Sequence, residues 1–266
     1  MSPAAQHTAD PGADLTLRRR LISGIPALEL SALPGDEKRP LVIMIHGLEA
    51  AKEHVLPYAY RIAQAGFHAV FFDAREHGER AGAAIQAASP EEKKGRLYEI
   101  IRATAGDIDT VIDDLIDHPR ADAGRIGLMG FSMGGMIVYR YLTGRRWPGV
   151  RAAVPVIATP AFSEQLTADL ARDPSPAAIS DRSVLTRIGG RDPAACLSAL
   201  RDLPLLILNG TADEHMPIEP IRRFYRLAKK LYGRKTRIRM VEYDGVGHVI
   251  TPEMMMSAVG WLKRYV

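Results

Sequence analysis

The chain has 266 residues, 47% hydrophobic and 25% charged, with a formal net charge of +4 at pH 7. That is an ordinary globular composition, with apolar material for one large α/β domain or two small ones. A single cysteine, Cys196, excludes an internal disulfide and a multi-cysteine zinc site, and no apolar run approaches the roughly 18 residues of a membrane span.

Met1 to Asp14 are polar, lack the apolar core of a signal peptide and read as a disordered tail; the protein is expected to be soluble and cytoplasmic. Leu15–Arg20 and Ala27–Leu30 read as a hairpin around Ser23-Gly-Ile-Pro, followed by a polar turn at 33–40. Leu41–Ile45 is a continuous apolar run, the pattern of a strand buried on both faces of a parallel sheet; it ends at His46-Gly47. Val55–Ala65 reads as a helix closed by Gly66, and His68–Phe72 as a strand ending at Asp73. Residues 76–96 are a polar excursion in which Ser89-Pro-Glu-Glu marks a helix start, and Leu97–Asp117 is a long amphipathic helix.

The strand Arg125–Met129, the helix Met133–Leu142 and the strand Val150–Ile157 follow. Residues 158–202 carry Pro160, Pro174, Pro176 and Pro193 and break the alternation. They read as a cap insertion over a pocket, with a surface decoration as the alternative. The strand Leu203–Leu208, the helix Pro220–Leu231, the strand Ile238–Tyr243 and the helix Pro252–Tyr265 complete the chain. Eight strands alternating with helices imply a doubly wound, mostly parallel α/β sheet forming one domain over 15–266. Its functional residues should lie beyond the carboxyl ends of the strands. Nine Lys/Arg and no Asp/Glu fall between Arg222 and Arg239. They read first as a solvated helix face and a guarded edge strand, and second as attraction for acidic partners.

Gly130-Phe-Ser-Met-Gly is a G-x-S-x-G turn set between a strand and a helix. In that setting a strained turn lifts the Ser132 hydroxyl clear of the sheet, at a helix N-terminus that favours developing negative charge. Serine needs a base, and the base needs an acid to hold its tautomer. In the chain order Ser, acid, His, the candidates are Asp213, just past the Leu203–Leu208 strand, and His248, just past the Ile238–Tyr243 strand. Glu214 and Asp244 are the alternative acids. His215 stands two residues from Asp213, awkward for a base and its orienter, and is assigned to the pocket with Glu49, Met216 and Val249. The oxyanion donors are expected to be the backbone N–H groups of Met133 and Leu48. Neither a P-loop nor a G-x-G-x-x-G after a strand is present, so no cofactor is implied, and the serine chemistry needs no metal.

With His46-Gly-Leu-Glu, Asp73-Ala-Arg-Glu-His-Gly-Glu-Arg, Gly130-Phe-Ser-Met-Gly-Gly, Thr211-Ala-Asp and Gly247-His, the chain resembles the α/β-hydrolase superfamily over Leu15 to Val266. Within it, the chain resembles small bacterial serine esterases related to dienelactone hydrolases and prolyl oligopeptidases. The resemblance implies an eight-stranded α/β-hydrolase sheet and a triad of Ser132, Asp213 and His248. It also implies a salt-bridge and loop-fixing role for Asp73, His77 and Arg80, with substrate contact as the alternative. The function expected is hydrolysis of small, short-chain carboxylic esters through an acyl-serine. Thioesterase, acyltransferase or aminopeptidase-like chemistry is the alternative, and a ligand-binding module on the same fold the non-enzyme reading. The partner expected is a small-molecule ester, with no nucleic acid and no membrane insertion; a homodimer is left open.

Overall fold

Leu41, Ile43 and Ile45 pack into one apolar cluster and the intervening Val42 and Met44 into another, all without solvent exposure. A period-2 chain buried on both sides belongs in the middle of a sheet covered on both faces. The computed structural model describes residues 14–32, 37–87, 96–144, 147–172 and 192–266. The tail before Asp14, the helix start at Ser89 and residues 173–191 of the cap lie outside these described residues.

The strands are β1 (Leu15–Ile22), β2 (Ile25–Ala32), β3 (Arg39–Ile45), β4 (His68–Phe72), β5 (Ala121–Phe131), β6 (Val150–Val156), β7 (Leu205–Gly210) and β8 (Ile238–Tyr243). They form one eight-stranded sheet in the order β1-β2-β4-β3-β5-β6-β7-β8. The β1–β2 hairpin is antiparallel and β2 joins β4 antiparallel; every pairing from β4 to β8 is parallel.

The helices are α1 (Leu56–Gln64), a single turn α2 (Ala83–Gln86), α3 (Leu97–Leu115), α4 (Met133–Leu142), α5 (Phe162–Arg172), α6 (Ile218–Leu231) and α7 (Pro252–Tyr265). Ile101, Ile108 and Ile112 of α3, Ile137 of α4 and Phe224 of α6 close one face of the sheet. Ile62 of α1 and Met254, Ala258 and Leu262 of α7 close the other. No helix among the described residues is long and apolar enough to cross a membrane.

Element ends differ from the sequence reading for identifiable reasons. β5 starts at Ala121 because Arg39 and Pro40 of β3 pair with Ala121 and Asp122 ahead of a register shift. α6 starts at Ile218 rather than Pro220, since a proline in the first turn removes only an N–H that has no intrahelical acceptor. The basic stretch divides on α6. Ile221, Phe224 and Ala228 are buried, whereas Arg222 forks onto Glu242 and Arg223 pairs with Glu164, both at the surface.

Candidate active site

Ser132 sits between β5 and α4 at φ 53°, ψ −118°, a backbone conformation that costs free energy and persists only when its surroundings enforce it. The enforcement is close packing. A Cβ on Gly130 would overlap the Gly134 carbonyl, and one on Gly134 would overlap the carbonyl of Ile45. The serine therefore rises over the carboxyl end of β5 with the first turn of α4 beneath it.

His248 lies in the loop after β8, and its Nε2 is 2.8 Å from Ser132 Oγ. Its Nδ1 is 2.7 Å from Asp213 Oδ2, in the loop after β7. The Asp213 side chain is fully buried, and its other oxygen accepts the N–H groups of His215 and Met216, both at 2.9 Å. Three hydrogen bonds thus reach the carboxylate at once and leave it one orientation. Asp244 instead accepts the Thr211 hydroxyl at 3.0 Å, and Glu214 is exposed. The structure therefore brings together the three residues the sequence singled out, and neither rival acid holds His248.

The loop after β3 faces the serine: a Cβ on Gly47 would stand 3.5 Å from both Phe131 O and Ser132 Cβ. Leu48 follows on that loop, and Met133 begins α4, where first-turn N–H groups have no intrahelical acceptor. His46 pins the loop: its Nε2 accepts Ala74 N–H at 3.0 Å, and its Nδ1 lies 2.7 Å from Gly47 O, which accepts the ring proton. Burial pushes the His46 pKa down to about 4, so at neutral pH the ring is uncharged and keeps one donor and one acceptor.

Beneath the loop, Lys52 is buried without solvent exposure. Its Nζ donates to Asp73 Oδ2 and Glu53 Oε1 at 2.9 Å and to Glu79 Oε1 at 2.5 Å, and its N–H donates to Asp73 Oδ1. The expected structural role of Asp73 rests on this lysine, which the sequence reading had not paired with it. Arg80 instead donates to Asp73 O and pairs with Asp107, and His77 Nδ1 bonds Arg75 O. Lys52→Met is expected to lower unfolding free energy by about 3–5 kcal/mol, because it leaves a buried carboxylate without its cation. Urea unfolding measures this, and a loss under about 1 kcal/mol would show that the pair is idle.

A cavity of about 1300 Å³ opens at this loop cluster. Glu49, His215 and Met216 line it as the sequence reading placed them; the His215 and His248 rings lie 5.1 Å apart. Val249 is a correction: it is 57% exposed and outside the lining, and Ile250 takes its place because the residue after His248 turns to solvent. Sequence reasoning missed Gln165, Leu166 and Asp169 of α5, which line the same cavity. Gln165 Nε2 also donates to His215 O at 2.9 Å, tying α5 to the loop of Asp213.

Among known proteins, the model of the family Hydrolase_4 (Serine aminopeptidase, S33) matches residues 36–189. The YitV protein of Bacillus subtilis (strain 168) is 29% identical over 259 residues, covering 94% of this chain and 99% of its own. Esterase YjfP of Escherichia coli (strain K12) is 24% identical over 263 residues, with the same coverage of 94% and 99%. Among solved structures, TT1662 from Thermus thermophilus superposes with a TM-score of 0.75 at 21% identity, over 94% of this chain and 98% of its own.

Proposed function

We propose, for a chain that belongs to the Hydrolase_4 (Serine aminopeptidase, S33) family of α/β-hydrolase fold, that it cleaves carboxylic esters of small acyl groups through an acyl-serine. The observation that carries this reading is the unbroken relay from Ser132 Oγ through His248 to Asp213. Similarity to Esterase YjfP supports the ester as substrate.

Ser132 Oγ attacks the acyl carbonyl while His248 Nε2 takes its proton. Asp213 holds the imidazole in the tautomer with hydrogen on Nδ1 and stabilises the imidazolium that forms. Leu48 and Met133 N–H groups receive the oxyanion. The imidazolium returns its proton to the leaving alcohol. A water then attacks the acyl-enzyme, with His248 again as base, and the acid departs. The single glycine of the His46-Gly47-Leu48-Glu49 loop leaves little width beside Ser132, which favours short acyl groups. Within the 158–202 insertion, α5 lines the cavity through Gln165, Leu166 and Asp169, and in this reading those residues select among substrates.

A second reading has its own observation. Glu49, Asp169, Glu214 and Glu219 line the cavity, and no Lys or Arg does among the described residues. Such a lining favours substrates that carry an ammonium group, as in aminopeptidase-like cleavage. One assay separates the two: p-nitrophenyl esters from acetate to palmitate beside aminoacyl p-nitroanilides. Turnover is expected to peak at acetate or butyrate. A peak at the long chains would overturn the acyl preference, and faster cleavage of the anilides would transfer the assignment to the second reading. A fluorophosphonate should add its mass to the Ser132 peptide alone; labelling elsewhere would sink the serine mechanism.

A further inference from the structure

Glu29 on β2, His68 at the start of β4 and His118 in the turn after α3 meet at the edge of the sheet opposite Ser132. Glu29 opposes Val70 in the β2–β4 register, so Glu29 and His68, two residues along, share a sheet face. All three side chains are buried, at 2%, 0% and 9% exposure. Glu29 Oε2 is 3.9 Å from His68 Nε2 and 3.6 Å from His118 Nε2, too far for hydrogen bonds. Glu29 Oε2 and both ring nitrogens of His68 have no partner. Buried polar atoms left unpaired are costly, and an ion held by Glu29 Oε2 and one His68 ring nitrogen would satisfy two of the three.

The geometry points to a divalent transition-metal site, of the kind zinc takes, formed by Glu29, His68 and His118. The three donor atoms lie within 4.8 Å of one another. Tetrahedral ligation at about 2.0–2.1 Å separates donor atoms by about 3.4 Å, so each Glu29–histidine distance must close by about half an ångström or less and the two rings by up to about 1.4 Å. Part of an outer shell is present, on the glutamate rather than on His68, whose second ring nitrogen has no partner. Arg20 holds the other Glu29 oxygen at 2.9 Å, as an outer-shell donor would. His118 is the most exposed of the three, at 9%, and so is the side from which an ion would enter. Two features oppose binding and make it exchangeable rather than permanent. Arg20, Arg39 and Arg120 put positive charge nearby. Coordination through Nε2 also moves the His118 ring proton to Nδ1, which breaks the 3.2 Å bond accepted there from Arg120 N–H. A bound ion would tie β2, β4 and the end of α3 together, away from the serine chemistry.

Chelator-stripped full-length protein titrated with Co²⁺ should take up one equivalent and develop the visible bands of a low-coordinate nitrogen–oxygen site. Zn²⁺ should bleach these bands and raise the melting temperature. His118→Ala should abolish the bands and weaken uptake at least tenfold while ester turnover stays unchanged. His68→Gln is the second variant, should the first fail to fold. Absence of bands in the native protein, or bands that survive both substitutions, would overturn the site.

Discussion

Ser132→Ala should lower kcat on a short p-nitrophenyl ester by about four to six orders of magnitude, with the fold intact. The expectation follows from what the substitution leaves behind. Alanine tolerates φ 53° no worse than serine, and the packing around Gly130 and Gly134 does not involve the hydroxyl. The melting temperature should therefore move little. The oxyanion donors and the cavity persist, so the variant should still bind substrate and retain weak catalysis over water. Steady-state kinetics alongside circular dichroism melts distinguish the cases. Activity undiminished in a folded variant would remove Ser132 from the mechanism; activity lost together with the fold would show that Oγ also supports the turn.

Asp213→Asn should cost about four orders of magnitude in kcat, while Glu214→Gln changes it less than tenfold. Asp213 accepts two backbone N–H groups at Oδ1 and faces His248 Nδ1 with Oδ2. An asparagine in this place keeps its carbonyl toward the two N–H donors, because they fix the amide's orientation. Its NH₂ then points at Nδ1, and the imidazole must accept there and carry its proton on Nε2. That is the tautomer that cannot take a proton from serine. The defect should thus appear in kcat with KM little changed. A large loss in Glu214→Gln with Asp213→Asn active would reassign the acid.

The parallel strands were legible because burial on both faces writes itself as an unbroken apolar run, as in Leu41–Ile45. The elbow and its partners were legible because each stands in the loop just past a strand, although β8, with Arg239 and Glu242, is half-exposed and lacks the unbroken apolar run. What could not be read depends on register and on distant partners. Lys52 carries a charge and so reads as a surface residue; only the fold places it over Asp73 and Glu79, which are 21 and 27 positions away. Glu29 interrupts an apolar strand in the way a solvent-facing position does. Its burial depends on β2 lying beside β4 with α3 across the face, a pairing absent from local periodicity. α5 buries Phe162 and Leu166, but beside Leu166 it meets the cavity through Gln165 and Asp169, whose polarity resembles that of any surface helix.

The position of β8 has a consequence for how this protein comes into being. Ser132, the proposed nucleophile, rises from β5, inside the sheet, whereas its proposed base, His248, hangs from a loop behind the outermost strand, 116 residues further along. A growing chain can complete β1 to β6, with the serine already held in its turn, long before the histidine has been synthesised. Until the last strand docks, Ser132 is an alcohol like any other. If Ser132 is the nucleophile proposed above, the order of residues along the chain delays its reactivity until the fold is nearly complete.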